Sequence, residues 1–165
     1  MSKVIIYGYS NLGSKIAKSL KNSEFEIIIV DYDEDNYNKA ILDGYNAFHK
    51  ELLEDEELVE IGIENNVKAF YCVSDSSNNN FFVTLSARNL NKKIRIISKA
   101  SSKSDSKKML LAGATKVINP YEIGALRMFR LLDKPIISHV LDKILFGDSL
   151  LNIEEFPILK GSYLD

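Results

Sequence analysis

Four residues near the start of the chain have the types and spacing to hold a phosphate. Gly8, Ser10 and Gly13 form a G-x-S-x-x-G run directly after the apolar residues 4–7, and Asp31 closes a second apolar run at 25–30. Glycine in the first position permits a sharp turn from strand to helix, and glycine in the last lets the helix lie close on the sheet. Backbone N–H groups at the start of that helix, with its dipole, attract a phosphate. The middle position, where glycine lets a pyrophosphate approach, is Ser10, which keeps the N–H and adds a hydroxyl. Asp31 stands where a carboxylate accepts hydrogen bonds from adenosine ribose hydroxyls, and its charge repels a 2′-phosphate. The expected ligands are therefore adenine nucleotides or NAD(H), not NADP. The competing reading is a Rossmann-like turn kept for folding alone.

Further along, Ser74 follows an expected strand at 68–73 and can donate to a nucleotide. Lys99 follows a strand at 94–98, where it can reach a phosphate or a facing acid; in isolation it reads as a solvated strand-end lysine. Cys72 is expected to be a buried packing residue. His49 and His139 are too far apart to suggest a shared metal, and the acids at 54–57 read as a solvated helix start. The run Asn78-Asn79-Asn80 reads as compositional bias in a chain rich in Lys, Asn, Ile and Ser. No catalytic constellation is visible. A dehydrogenase needs a general acid or base beside the nicotinamide and a domain to hold the substrate, so the chain is not expected to be an enzyme. The alternative, a small NAD-dependent oxidoreductase or a fragment of one, rests on the glycine turn and Asp31 alone.

The elements that must position these residues alternate. Short apolar runs at 4–7, 25–30, 46–49, 68–73, 94–98 and 115–118 are separated by segments of helical periodicity. Six such strands with helical crossovers predict an α/β fold, a Rossmann-like doubly wound parallel sheet in the order 3-2-1-4-5-6, with the cleft above strands 1 and 4. Asp33 opens the second helix and Gly44 sits where its cap belongs. A final helix starts at Asn119, with Pro120 in its first turn and Glu122 at the capping-box position. It is expected to run to about residue 146 through a kink at Pro135.

Past Pro135 the residues Ile136, Ile137, Val140, Leu141, Ile144 and Leu145 form an apolar stripe after the sheet has ended, which calls for a second copy of the chain. The expected organisation is a Rossmann-like lobe at 1–119, a crossover helix for dimerisation at 120–147, and the start of a truncated lobe at 148–165, including a strand at 155–159. A net charge of −2 excludes a nucleic-acid binder of the usual basic kind. One cysteine excludes a disulfide framework. No apolar run is long enough to span a membrane, and no signal peptide is expected.

Residues 70–91, continuing into Ile94-Arg-Ile-Ile-Ser-Lys99, and the run Leu111-Ala-Gly-Ala-Thr-Lys-Val-Ile-Asn-Pro-Tyr-Glu-Ile-Gly124 strongly resemble the RCK (regulator of potassium conductance) or TrkA-N domain family. Residues 154–162 resemble the opening of the lobe that follows it. The resemblance covers nearly the whole chain. It implies a cytoplasmic, ligand-sensing regulatory domain at the inner face of the cell membrane, acting on a potassium-conducting pore in the same or another chain. It also implies a homodimer joined through the crossover helix, stacked into a higher-order ring. Carried over by position, Gly8, Tyr9, Ser10, Asn11, Leu12 and Asp31 would hold the nucleotide from one side, and Ser74 and Lys99 from the other. Three departures stand out. Ser10 in the glycine motif is more typical of channel-attached members, some of which bind no dinucleotide, than of separate transporter subunits. Lys50-Glu51 replaces the Gly-Asp that many members carry after the third strand, and Lys99 replaces an acid of calcium-gated relatives, which argues against a calcium site there.

Overall fold

The computed structural model describes residues 2–133. Strands and helices alternate along them as β1 (Lys3–Tyr7), α1 (Asn11–Leu20), β2 (Glu26–Asp31), α2 (Glu34–Leu42), β3 (Asn46–His49), α3 (Asp55–Glu60), β4 (Val67–Cys72), α4 (Ser77–Leu90), β5 (Arg95–Lys99), α5 (Lys103–Leu111), β6 (Lys116–Ile118) and α6 (Pro120–Asp133). Every strand pairing is parallel and the order is β3-β2-β1-β4-β5-β6, the expected Rossmann-like arrangement. β1 pairs with β2 on one side and β4 on the other. The strand order reverses there, and in such sheets a crevice opens beyond the carboxyl ends of the strands.

Both faces of the central strands are covered, which is why their sequences are continuously apolar rather than alternating. Ile5 and Tyr7 of β1, with Ile28, Val30, Phe70, Cys72 and Ile96, pack on one side against Leu58, Val83 and Ala87 from α3 and α4. Val4, Ile6 and Ile29 face the other way, against Ala17 of α1 and Ala40 of α2. Burial pushes the Cys72 thiol up to about 12, so it stays protonated and inert.

Side-chain caps fix where the loops end and the helices begin, and hence the rim of the crevice. Asp33 accepts from the Asn36 N–H at 2.9 Å, Ser76 from Asn79 at 3.2 Å, and Ser102 from Asp105 at 3.0 Å. The Ser102 cap starts α5 two residues before Asp105, where the periodicity had placed it. Asn119 accepts from the N–H groups of Tyr121 and Glu122 at 3.1 and 3.2 Å, as its place before Pro120 led us to expect.

The chain divides into two compact units, Met1–Glu122 and Ile123–Asp165. The stripe beyond Pro135, His139 and the strand at 155–159 lie outside the described residues. Among the described residues no helix is long and apolar enough to cross a membrane.

Candidate functional site

The loop from β1 to α1 is wedged between neighbours that leave no room for side chains at its two glycines. Gly8 has φ +101°, donates to Val30 O at 2.8 Å, and would carry a Cβ 2.4 Å from the Ser74 backbone. A Cβ on Gly13 would fall 1.8 Å from the Gly8 carbonyl oxygen. The sequence at these positions is thus dictated by the close approach of β1, α1 and the end of β4.

Ser10 occupies the N-cap of α1, yet its side chain makes no cap bond. Its hydroxyl lies near the Asp75 carboxylate and helps to lower that group's pKa. The first turn of α1 contains no acidic residue. The first N–H groups of the helix lack partners within it and carry its positive dipole end, an arrangement suited to a phosphate.

Asp75 follows β4, and Lys99 ends β5. Their side chains meet at 2.6 Å, with Lys99 buried to 9% exposure and Asp75 open at 62%. The Lys99 ammonium, and then the Ser10 hydroxyl, hold the Asp75 carboxyl below the usual carboxylate range. Ser10, Asn11, Leu12, Lys15, Asp75, Lys99, Pro120 and Tyr121 line a cavity of about 480 Å3 over this end of the cleft.

Asp31 is placed at the end of β2 as expected, but it does not line that cavity. It is 2% exposed, and its two carboxylate oxygens accept from the backbone N–H groups of Tyr9 and Asp33. Burial raises its pKa against the opposing effect of those two bonds. Tyr9 contributes its backbone to this contact, while its fully buried ring points away and its hydroxyl donates to Asp43 at 2.7 Å. Ser74 is also engaged within the protein. Its hydroxyl donates to Asn80 Oδ1 at 2.9 Å, its N–H donates to the same oxygen at 3.0 Å, and its carbonyl accepts from Asn80 Nδ2 at 2.9 Å.

That pairing overturns the reading of Asn78-Asn79-Asn80 as compositional bias for two of its three residues. Asn80 is fully buried and secures the end of β4 to the first turn of α4. Asn79 Nδ2 donates to Glu51 Oε1 at 3.3 Å and to the Tyr7 hydroxyl at 3.4 Å, tying the end of β3 to the same turn. The usable signal was position, since an amide in the first turn after a strand-end serine is within reach of that loop's backbone.

A second, shallower cavity of about 310 Å3 lies beyond β2 and β3, lined by Tyr32, His49, Lys50, Glu51 and Glu57. His49 Nε2 donates to the Tyr32 carbonyl at 2.9 Å and its ring stacks on Tyr37. Lys50 pairs with Glu60 at 2.8 Å. Among the described residues no three His, Cys, Asp or Glu side chains gather as metal ligands would.

Comparison with known proteins places this geometry in a family. The TrkA-N domain family matches residues 4–120. Potassium channel protein 1 of Methanocaldococcus jannaschii is 30% identical over 163 residues, covering 98% of this chain and 48% of that protein. The chain thus spans about half the length of this curated relative. Among solved structures, the GsuK channel bound to NAD superposes with a TM-score of 0.72 at 21% identity, over 85% of this chain and 25% of that one. GsuK bound to ADP gives 0.70 at 22% identity, over 81% and 34%. These two share the fold.

Proposed function

Because the chain belongs to the TrkA-N domain family, we propose that it is a ligand-sensing regulatory domain of a potassium channel or potassium-uptake system, reading a nucleotide in the Rossmann-like cleft. The carrying observation is the start of α1. It lacks a side-chain cap and a first-turn acid, and it opens into a cavity bordered by Lys15 and Lys99. An adenine nucleotide or NAD(H) is the expected ligand, since a relative of the same fold is a channel bound to NAD, and another structure of it holds ADP. The Asp31 carboxylate at the end of β2 disfavours a 2′-phosphate and hence NADP.

Sensing works by population shift. A ligand alters an attached gate only to the extent that it binds one arrangement of paired lobes better than another. We assign residues 1–119 to the sensing lobe, 120–147 to a crossover helix that joins two copies, and 148–165 to the start of a following lobe. Support for pairing comes from α6, where Met128, Phe129 and Leu132 lie on one side of the helix and are 60% or more exposed. The partner is a potassium-conducting pore, in the same or another chain, with the domain at the cytoplasmic face of the membrane.

Calorimetric titration of ADP, AMP, NAD, NADH and NADP tests the ligand assignment. Binding of the first four in preference to NADP, lost in Asp31→Ala, is the expected result. Absence of binding by any adenine nucleotide, or an Asp31→Ala affinity equal to wild type, would overturn it.

A further inference from the structure

We propose that Asp75 is an internal stand-in for the ligand's phosphate, holding the Lys99 ammonium that a nucleotide must take over and so setting the threshold of the sensor. The proposal rests on the nucleotide reading of the cleft and adds a residue that opposes binding.

Among the side-chain donors that line the cavity at the mouth of α1, which include Asn11, Lys15 and Tyr121, the Lys99 ammonium is buried and the Ser10 hydroxyl stands at the helix start. Asp75 pairs with the Lys99 ammonium at 2.6 Å, and the Ser10 hydroxyl lies near the same carboxylate. A carboxylate and a phosphate are both oxyanions, and they compete for the same donors. The ion pair is asymmetric in a way that decides which partner yields. The Lys99 side chain is 9% exposed and held in place, whereas that of Asp75 is 62% exposed and free to swing into water. An arriving phosphate therefore keeps Lys99 and displaces Asp75.

The Ser10 hydroxyl makes no cap bond, so it is available to cap α1 or to donate to the ligand. The exchange thus breaks the tie between the loop after β4 and the end of β5, and that contact registers the occupancy of the site. Asp75 also lies close enough to Asp31 for their charges to interact, so moving it outward relieves repulsion within the cleft.

The two ends of the ion pair must then affect binding in opposite directions. Calorimetric titration of ADP at low salt is made on wild type, Asp75→Asn, Asp75→Ser, Lys99→Gln and the distant charge control Glu64→Gln, with thermal melts confirming that each folds. Both Asp75 variants are expected to bind ADP about fivefold more tightly, an effect that fades with added salt. Lys99→Gln is expected to bind more weakly, and Glu64→Gln to match wild type. Wild-type binding that the Asp75 variants leave equal or weakened overturns the stand-in while the nucleotide reading stands. No ADP binding by wild type or by either Asp75 variant overturns both. Gain of binding by Glu64→Gln equal to that of Asp75→Asn reduces the effect to net charge and likewise overturns it.

Discussion

The backbone N–H of Tyr9 donates to the Asp31 carboxylate, so the acid at the end of β2 anchors the glycine loop that follows β1. This contact has a pH signature. Burial raises the folded pKa of Asp31 above its ordinary value of 3.8, so the folded chain holds this proton more tightly than the unfolded chain does. Its contribution to stability is complete below 3.8 and is lost as pH rises through the folded value. Asp43 and Asp75, whose folded values are lowered, act with the opposite sign below 3.8. Urea denaturation from about pH 3 to about pH 7 should show the stability of wild type relative to Asp31→Asn falling as pH rises. A difference that is flat or grows with pH would contradict this account.

Glycine is required at position 13 by space and preferred at position 44 by conformation alone. A Cβ at Gly13 meets the Gly8 carbonyl oxygen at 1.8 Å, and that neighbour is backbone, which cannot swing aside as a side chain would. Gly44 has φ +86° with nothing within 4 Å of an added Cβ. Gly13→Ala should therefore cost about 3 kcal/mol or more in urea unfolding, and Gly44→Ala about 1 kcal/mol. Equal costs at the two sites would mean that α1 can shift away from the loop.

What the sequence revealed follows the same division between local and distant causes. The sheet order, Gly8, Gly13, Asp31 and the Asn119 cap were legible because a strand, a turn and a helix start each leave their mark within a few residues. The Asp33 helix start was legible for the same reason. The Lys99–Asp75 pair spans 24 positions, and the Tyr9 hydroxyl reaches Asp43 across 34. Nothing local to Ser10 indicated that its hydroxyl would leave the helix uncapped. Nor did the position of Ser74 at a strand end reveal that Asn80 would saturate it. Such ties depend on the sheet register, which brings loops distant in sequence to one edge.

Two tyrosines that meet edge to face should respond differently to loss of their hydroxyls. The rings of Tyr9 and Tyr45 are 5.8 Å apart at 63°. The Tyr9 hydroxyl donates to Asp43, whereas the Tyr45 hydroxyl is buried without a hydrogen-bond partner. Tyr9→Phe should lower the urea midpoint. Tyr45→Phe removes an unsatisfied polar atom and should stabilise by about 1 kcal/mol. A Tyr45→Phe variant that unfolds more easily would show that this hydroxyl finds a partner in solution.

The apolar side of α6 predicts self-association. Met128, Phe129 and Leu132 follow helical spacing and are 75%, 60% and 86% exposed, an arrangement that leaves large apolar side chains in water unless something covers them. A second copy is the simplest cover, and in a twofold contact each substitution acts twice. Placing a carboxylate in such a contact forfeits about 2 kcal/mol per copy, so Phe129→Asp should weaken the dimer about a thousandfold. Sedimentation at micromolar concentrations distinguishes the outcomes. Wild type should sediment as a dimer or larger and Phe129→Asp as a monomer that still melts cooperatively, without the concentration dependence expected of the wild-type melt. A monomeric wild type would instead mean that the apolar side of α6 is not a contact between two copies.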